Sequence, residues 1–515
     1  MRVERLIIAS LLLLFIAARL WWLTRFGLYG DEIFSLRLAA ASWSDLFANV
    51  IRDAVHPPLF YVLLKVWIDV GGESIYWVKL FPVCASIASL APFYLLCREL
   101  KLEPKVSRLA LGLMAVNMYM VVYAQDLRMY SLLLFASTCS CWLFVKLLDA
   151  TESRIGIDLS LFITNLLLVY THYYGWLLVG AQLTALVILQ RHKLKRFIAS
   201  SLGLVLCFSP WVYLAFRASI EKGGLGANLS WNPRPGMGDF FWFYLNLNGP
   251  VSYRWEDYGV FYKVSLGVYA LLTLLFFYAI ARFLIRLIQD RTERNQKMIA
   301  LAVMAFLPSV FAMAASYALR HSIWGMRYLI ISSVAYFLIL SMSVFDLESR
   351  LVRAITVSSL IAWAALSGWT ELVNREKFAV EPLVKQMIET EMDQNQRIRI
   401  YTDDGIVGTT LQFYLDRQGE KRFEIVYVRS FDEPNDSYFW AAFVKYRFDN
   451  KPLVQETLAE RGFQISDGYT AATHGHKFFL FPVHQVSPSG RIGIRLYSKA
   501  IARRKPAPLS KTRGL

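Results

Sequence analysis

Asp31 and Glu32 are adjacent acids just past the first hydrophobic run, His56-Pro57-Pro58-Leu59 follows them, and Gln125-Asp126-Leu127-Arg128-Met129-Tyr130 comes two apolar runs later. A carboxylate can take the proton from an acceptor hydroxyl as that hydroxyl attacks an activated carbon, provided it lies within hydrogen-bond reach. A guanidinium can grip phosphate oxygens and neutralise the charge that grows as a bond to phosphate breaks. Asp31 or Glu32 suits the first role; Arg128 suits the second, with Arg327 and His56 next. Tyr130, His172 and Tyr173 are candidate substrate contacts, and Trp231, Trp242 and Trp255 are candidates to stack on a sugar. Each residue also has a plainer explanation. Asp31 can cap a helix beginning at Ile33. Arg128 can snorkel from a span end, and His56 can be a turn residue satisfied by backbone. Arg320, His321 and Arg327 can bind lipid headgroups, and His172 with its tyrosines can belong to an interfacial aromatic belt.

The elements that must position these residues are transmembrane. Hydrophobic residues make up 56% of the 515 and charged residues only 18%, the composition of a polytopic membrane protein and not of a water-soluble globule. Crossing about 30 Å of hydrocarbon takes roughly 20 apolar residues. About eleven runs qualify, near 6 to 24, 76 to 97, 107 to 124, 129 to 147, 157 to 172, 174 to 190, 197 to 216, 259 to 287, 298 to 319, 328 to 345 and 354 to 370. The first is read as a retained span, because the bulky Arg19-Leu20-Trp21-Trp22 after it is an interfacial anchor and not a cleavage site. With the amino terminus cytoplasmic, the basic connections 98 to 108, 191 to 196 and 282 to 297 all face inward, as positively charged loops do. That assignment requires 57 to 70, which opens with two prolines and contains Lys65 and Asp69, to lie along the outer surface as a helix. The external face then holds Asp31, Glu32, His56, Arg128, the Thr171 to Gly175 turn, the 217 to 258 loop and the Arg320 to Arg327 turn.

After residue 370 the composition becomes that of a soluble domain. Strands are expected at 397 to 401, 423 to 428, 438 to 443 and 477 to 481, and helices at 406 to 416 and 451 to 462, giving a small extracytoplasmic α/β or α+β domain over 371 to 485. It has no glycine-rich phosphate loop. Residues 486 to 515, with Arg503-Arg504-Lys505, read as a basic flexible tail. The five cysteines lie in or beside apolar runs without zinc-site spacing. The net charge of +16 is accounted for by inner loops and tail, and nucleic-acid binding is not needed to explain it.

The order of these motifs resembles the GT-C fold glycosyltransferases that use polyprenyl-phosphate sugars, the protein O-mannosyltransferase and aminoarabinose transferase superfamily. The resemblance covers roughly 1 to 345: one span, Asp31-Glu32 in a long external loop, His56-Pro57-Pro58-Leu59 before a surface helix, then Arg128-Met129-Tyr130 and Arg327-Tyr328 each opening a later span. It implies that Asp31 is the catalytic base with Glu32 supporting it, and that His56 and Arg128 lie at the donor phosphate. The aminoarabinose branch has Lys at the position of His56, so here the chain departs toward the protein-mannosyltransferase pattern. No tandem carbohydrate-binding insertion is present, so a protein acceptor is not implied, and the domain after 371 looks like that of bacterial members.

The expectation is therefore a multi-pass enzyme of the cell (inner) membrane, a GT-C-like bundle over 1 to 370. It transfers a sugar with inversion from a polyprenyl-phosphate donor to a hydroxyl of a glycan, lipid or protein acceptor on the extracytoplasmic side. Membrane lipids are further partners. No cofactor is implied, and metal dependence is left open. A lipid or glycan transporter or flippase is the rival, but coupling places ionisable groups or broken helices near the bilayer midplane, and the runs at 129 to 145, 298 to 319 and 328 to 345 contain no Asp, Glu, Lys, Arg or His. A non-catalytic assembly or sensor protein would instead place its function in the domain after 371.

Overall fold

The computed structural model describes residues 2–25, 27–149, 155–221, 233–249, 260–290, 292–374, 379–391, 396–431, 433–434, 436–445, 454–465, 469–473 and 476–485. Trp231, Trp255 and the tail after 485 lie outside the described residues, as does much of the 217 to 258 connection. The chain divides into two compact units, Met1–Lys377 and Phe378–Leu515. The division falls a few residues beyond the expected boundary at 370 because the last helix of the first unit runs on to Asn374.

The first unit is helical. It runs α1 (Arg2–Leu20), α2 (Asp31–Ala40), α3 (Trp43–Asp53), α4 (Leu59–Gly71), α5 (Ile75–Ala88), α6 (Leu90–Glu99), α7 (Pro104–Val116), α8 (Met118–Gln125) and α9 (Tyr130–Asp149). It continues with α10 (Ile155–Thr171), α11 (Gly175–Leu189), α12 (Leu194–Glu221), α13 (Met237–Leu247), α14 (Val260–Gln289), α15 (Glu293–Ala318), α16 (Ser333–Phe345) and α17 (Arg350–Asn374). A helix meets every one of the eleven runs. Among the described residues seven spans are long and apolar enough to cross a membrane, and eight if the bent pair α7 and α8 is one span. The remaining three are α1, which carries Arg2, Glu4, Arg5 and Arg19, and α10 and α11, apolar but shorter at 17 and 15 residues.

The run at 107 to 124 is not one straight helix. Between Val116 and Met118 it bends by 56°, and Asn117 supplies the reason: its side-chain oxygen accepts from the Met120 amide (3.1 Å) and its amide donates to the Leu247 carbonyl (2.8 Å). Asn117 is thus the N-cap of α8, satisfying backbone that would otherwise be bare inside the bundle. The bend aims the C-terminal end of α8 at the turn carrying Arg128. Gln125 fixes that end by donating to the carbonyls of Arg19 and Trp21, both at 2.8 Å.

The segment expected at 57 to 70 is the amphipathic helix α4, with Phe60, Tyr61, Leu64 and Ile68 inward and Leu63, Val66 and Val70 exposed. Its end is locked to α5 by a reciprocal pair, each of Trp67 and Trp77 donating its indole N–H to the other's carbonyl (2.9 and 2.8 Å), with the rings stacked 4.6 Å apart. Gly71 lies beneath this pair, where a Cβ would fall 2.0 Å from the Trp77 ring.

The basic connections meet at one end of the bundle. Lys297 bonds the Glu99 carbonyl (3.0 Å) and pairs with the Glu99 and Asp149 carboxylates, Lys193 donates to the carbonyls of Leu147 and Leu148 (2.7 and 2.9 Å), and Arg286 pairs with Asp346 (3.0 Å).

The second unit holds α18 (Val380–Thr390), β1 (Ile398–Thr402), α19 (Gly405–Arg417), β2 (Phe423–Tyr427), β3 (Tyr438–Lys445), α20 (Val454–Glu460), β4 (Phe463–Ile465), β5 (Tyr469–Thr473) and β6 (His476–Gln485). The sheet order is β2-β1-β3-β6-β4, with β5 also on β6; β1 is parallel to β2 and β3, and the pairs to β6 are antiparallel. Tyr401, Phe439, Ala441, Phe443, Leu458, Phe463, Phe481 and Val483 form a core cluster. The four expected strands and both expected helices are present; α18, β4 and β5 are additional. The start of the second expected helix, 451 to 453, lies outside the described residues.

Candidate active site

At the end of the bundle opposite the basic connections, loops and helix termini bring the two acids, two arginines and two histidines together. Helix α2 begins at Asp31 itself. Its N-cap is Gly30, whose φ of 49° suits glycine, and no side chain caps it. The capping explanation for Asp31 thus does not hold, and its carboxylate is 56% exposed. Glu32, one residue on and rotated about 100° around the helix, is buried. Its carboxylate accepts from the Leu127 amide (3.1 Å) and lies 3.5 Å from the Lys79 ammonium, with side-chain exposures of 6% and 3%. The adjacent acids therefore have different surroundings: Glu32 ties α2 to α5 and to the turn before α9, while Asp31 is presented outward.

Arg128 sits in that turn, which is tightened by its own amide bonding the Asp126 carbonyl (2.7 Å). Its side chain is 6% exposed and reaches back over α2, donating to the Asp31 carbonyl (3.3 Å) and to Ser35 Oγ (3.0 Å), with its second terminal nitrogen 3.9 Å from the Asp31 carboxylate. It is not a snorkelling residue on an outer surface. Its Nε is buried without a hydrogen-bond partner among the described residues.

His56 and His172 lie in loops, between α3 and α4 and directly after α10, with ring centroids 5.1 Å apart. The hub joining them to the rest is Tyr328, whose ring stacks on His172 (4.3 Å) and lies 6.1 Å from His56, 6.0 Å from Tyr130 and 5.1 Å from Tyr174. The Arg327 guanidinium is 5.1 Å from the same ring and makes no hydrogen bond or carboxylate pair with any described residue. His172 Nδ1 accepts the Tyr174 amide proton (3.1 Å). That bond places the imidazole proton on Nε2, which is a buried donor with no partner among the described residues. Burial, and then the cations Arg128 and Arg327, push the His172 imidazolium down to about 3. Burial, followed by Arg128, His172 and Arg327, holds His56 well below the ordinary histidine range. Both rings are neutral at physiological pH, and His56 Nδ1 is likewise buried without a partner among the described residues.

The tyrosines divide by what they touch. Tyr130 is fully buried, its ring between Tyr123 (4.9 Å) and Tyr328. Tyr173 is a strut: its hydroxyl donates to the Ala54 carbonyl (3.1 Å) and accepts from the Trp211 indole (3.0 Å), linking the end of α3 to α12. Tyr174 holds the 320 to 327 turn, bonding the Ile323 carbonyl and accepting the Gly325 amide (3.0 Å). Arg320 is exposed, and Trp242 sits on α13. Tyr61, whose hydroxyl lies in the field of Arg128 and Asp31, and Ser35 and Lys79 belong to the site without any sequence signal that marks them. Among the described residues no group of three or more His, Cys, Asp or Glu is placed to hold a metal ion.

Beside the cluster, between α11 and α12, an apolar groove of about 480 Å³ is lined by Trp176, Val205, Phe208, Val212, Tyr213 and Phe216. Phe208 is 6.2 Å from the Tyr173 ring, so the groove adjoins the polar site.

No protein-family model and no curated protein sequence matches this chain. Among solved structures it is similar to ArnT from Cupriavidus metallidurans in the apo state, with 14% identity and a TM-score of 0.54 over 92% of this chain and 97% of that one. The same protein bound to undecaprenyl phosphate gives 13% identity and 0.51 over the same shares. A fainter likeness is to the Archaeoglobus fulgidus oligosaccharyltransferase, with 13% identity and 0.47 over 79% and 61%. The fold is the GT-C fold, a mostly helical membrane unit followed by a small sheet domain.

Proposed function

We propose that this protein is a glycosyltransferase that moves a sugar from a polyprenyl-phosphate donor to an acceptor hydroxyl, with inversion, at the extracytoplasmic face of the cell membrane. The observation that carries this reading is the exposed Asp31 carboxylate held 3.9 Å from a buried, anchored Arg128, a base and a phosphate grip within one substrate's length. The acceptor oxygen attacks the anomeric carbon and its proton passes to Asp31. The bond from that carbon to the phosphate oxygen breaks, its electron pair leaves with the phosphate, and the lipid phosphate gains a negative charge. Arg128 and Arg327 meet that charge where water is scarce, so they act more strongly than in bulk solvent. The neutral His172 Nε2–H is a further donor for a phosphate or sugar oxygen. His56, neutral and beside it, contributes hydrogen bonding and not charge, unlike the lysine of the aminoarabinose branch.

The apolar groove beside Tyr173 suits a prenyl chain whose phosphate must reach Arg128. Undecaprenyl phosphate bound to a protein of the same fold supports that class of donor. The test is sugar transfer by purified wild-type and Asp31→Asn protein against a panel of polyprenyl-phosphate sugars and acceptors, measuring released lipid phosphate and glycosylated product. Turnover lost in the variant is expected. Transfer at the wild-type rate by Asp31→Asn would overturn the mechanism.

A further inference from the structure

At the end of the bundle away from Asp31, helices α1, α6 and α7 enclose a groove that the transfer reaction does not use. Its volume is about 710 Å³, and its walls are apolar: Ile8 and Leu12 of α1, Leu90 and Phe93 of α6, Leu111 of α7. Three cations, Arg98, Lys101 and Arg108, line it around the α6 to α7 connection. None of the three pairs with a carboxylate among the described residues: Arg98 lies 5.8 Å from the Tyr94 ring, and Arg108 Nε donates to the Pro104 carbonyl (3.1 Å). The acids of the α6 to α7 connection are engaged elsewhere, Glu99 with Lys297 and Glu103 with Lys105. Lys101 also holds a left-handed backbone conformation (φ 49°) at the end of α6, where its amide bonds the Arg98 carbonyl (3.0 Å). Glycine is the usual residue there, since a Cβ in that region is disfavoured.

The geometry points to a binding site for an anionic phospholipid, its acyl chain in the apolar groove and its phosphate held by Arg98, Lys101 and Arg108. Charge complementarity favours this occupant. Three cations without a carboxylate pair among the described residues, at an apolar cavity, are a mismatch for an uncharged lipid and for a polar solute, and a lipid with a phosphate head satisfies both parts. The cavity is within the range that takes up a chain-sized ligand. The site is separate from the proposed donor groove between α11 and α12, which adjoins the Asp31 end.

The experiment reads lipid retention, which is independent of sugar transfer. Full-length protein is equilibrated in mixed micelles of phosphatidylglycerol and phosphatidylcholine, and retained lipids are counted by native mass spectrometry. Wild-type protein is expected to retain phosphatidylglycerol in preference. The triple variant Arg98→Gln, Lys101→Gln, Arg108→Gln is expected to lose the preference, with each cation contributing a factor of about five, on the order of 100-fold together. Arg191→Gln with Lys195→Gln, which removes charge from another basic connection, is expected to leave it intact. Ala91→Trp, which fills the groove while keeping all three cations, is expected to lower retention as well. Equal retention of phosphatidylcholine by the wild type, an unaltered preference in the triple variant, or undiminished phosphatidylglycerol retention by Ala91→Trp would overturn the assignment.

Discussion

Adjacent acids with opposite surroundings make the sharpest prediction, because conservative substitutions at Asp31 and Glu32 should separate chemistry from folding. Asp31→Asn removes a proton acceptor but little stabilising energy. Its carboxylate is 56% exposed and its ion pair is long at 3.9 Å, so the stability cost is no more than about 1 kcal/mol. Loss of a general base, by contrast, slows transfer by about 10² to 10⁴, or about 3 to 5 kcal/mol of barrier. Glu32→Gln reverses the pattern. The amide can still accept from the Leu127 N–H, but the Lys79 ammonium, 3% exposed, loses the carboxylate 3.5 Å away. Removing one partner of a buried pair costs about 3 to 5 kcal/mol. Adding Lys79→Met should restore much of that stability, since both charges are then gone. The assay is thermal unfolding in detergent together with single-turnover release of lipid phosphate on the four proteins. If Glu32→Gln melts like the wild type yet cannot transfer, while Asp31→Asn transfers normally, the roles are reversed and the reasoning from burial fails.

Three further outcomes are expected. His172→Phe keeps an aromatic ring against Tyr328 but removes the Nε2–H donor, so transfer should fall about 10- to 100-fold, the worth of one hydrogen bond to a charged group, while the fold survives. A rate within twofold of wild type would show that this donor meets no substrate. Tyr173→Phe should lower thermal stability by about 1 to 3 kcal/mol, because the Trp211 indole N–H and Ala54 carbonyl lose their shared partner, while donor KM changes little; a large KM effect with unchanged melting would make Tyr173 a substrate contact instead. A histidine kept neutral by the fold binds its proton only on unfolding, so stability should fall as pH drops below the ordinary histidine value of about 6.5. The slope is about 1.4 kcal/mol per pH unit per histidine, and for His172 it continues toward about 3; His56, displaced in the same direction, adds to it. Melting curves between pH 5 and 7 should therefore be flatter for His172→Phe than for the wild type, and parallel curves would contradict the burial argument.

The sequence carried the helical architecture well, because each apolar run is long, and all eleven coincide with helices. Short motifs mark the candidate site for a similar reason: Asp31-Glu32, His56-Pro57-Pro58 and Arg128-Met129-Tyr130 hold polar residues at the margins of apolar runs, and the fold brings them together. What stayed hidden was rotational and tertiary. Nothing local says that Glu32 faces Lys79 while Asp31 faces outward, since that depends on where α2 sits against α5. Tyr328 looked like the companion of Arg327 and is instead the ring around which both histidines gather. The strut role of Tyr173 required knowing that Ala54 and Trp211 lie on either side of it, 119 and 38 residues away in sequence. In the second unit β4 was missed because a three-residue strand carries too few alternations to register, and β5, with the sequence YTAAT, offers only Tyr469 as a large apolar side chain.

The bend at Asn117 also bears on the order in which the protein is made. The partner that satisfies its side-chain amide, the Leu247 carbonyl, lies 130 residues further along, and the chain between them includes α9 through α12. While those helices are being synthesised the amide lacks its final acceptor, and α8 lacks the contact that fixes its direction. The turn carrying Arg128, just past the end of α8, therefore reaches its final place late. If Arg128 holds the donor phosphate as proposed, that contact is completed only after most of the membrane unit has been made, although Asp31 precedes it in the chain.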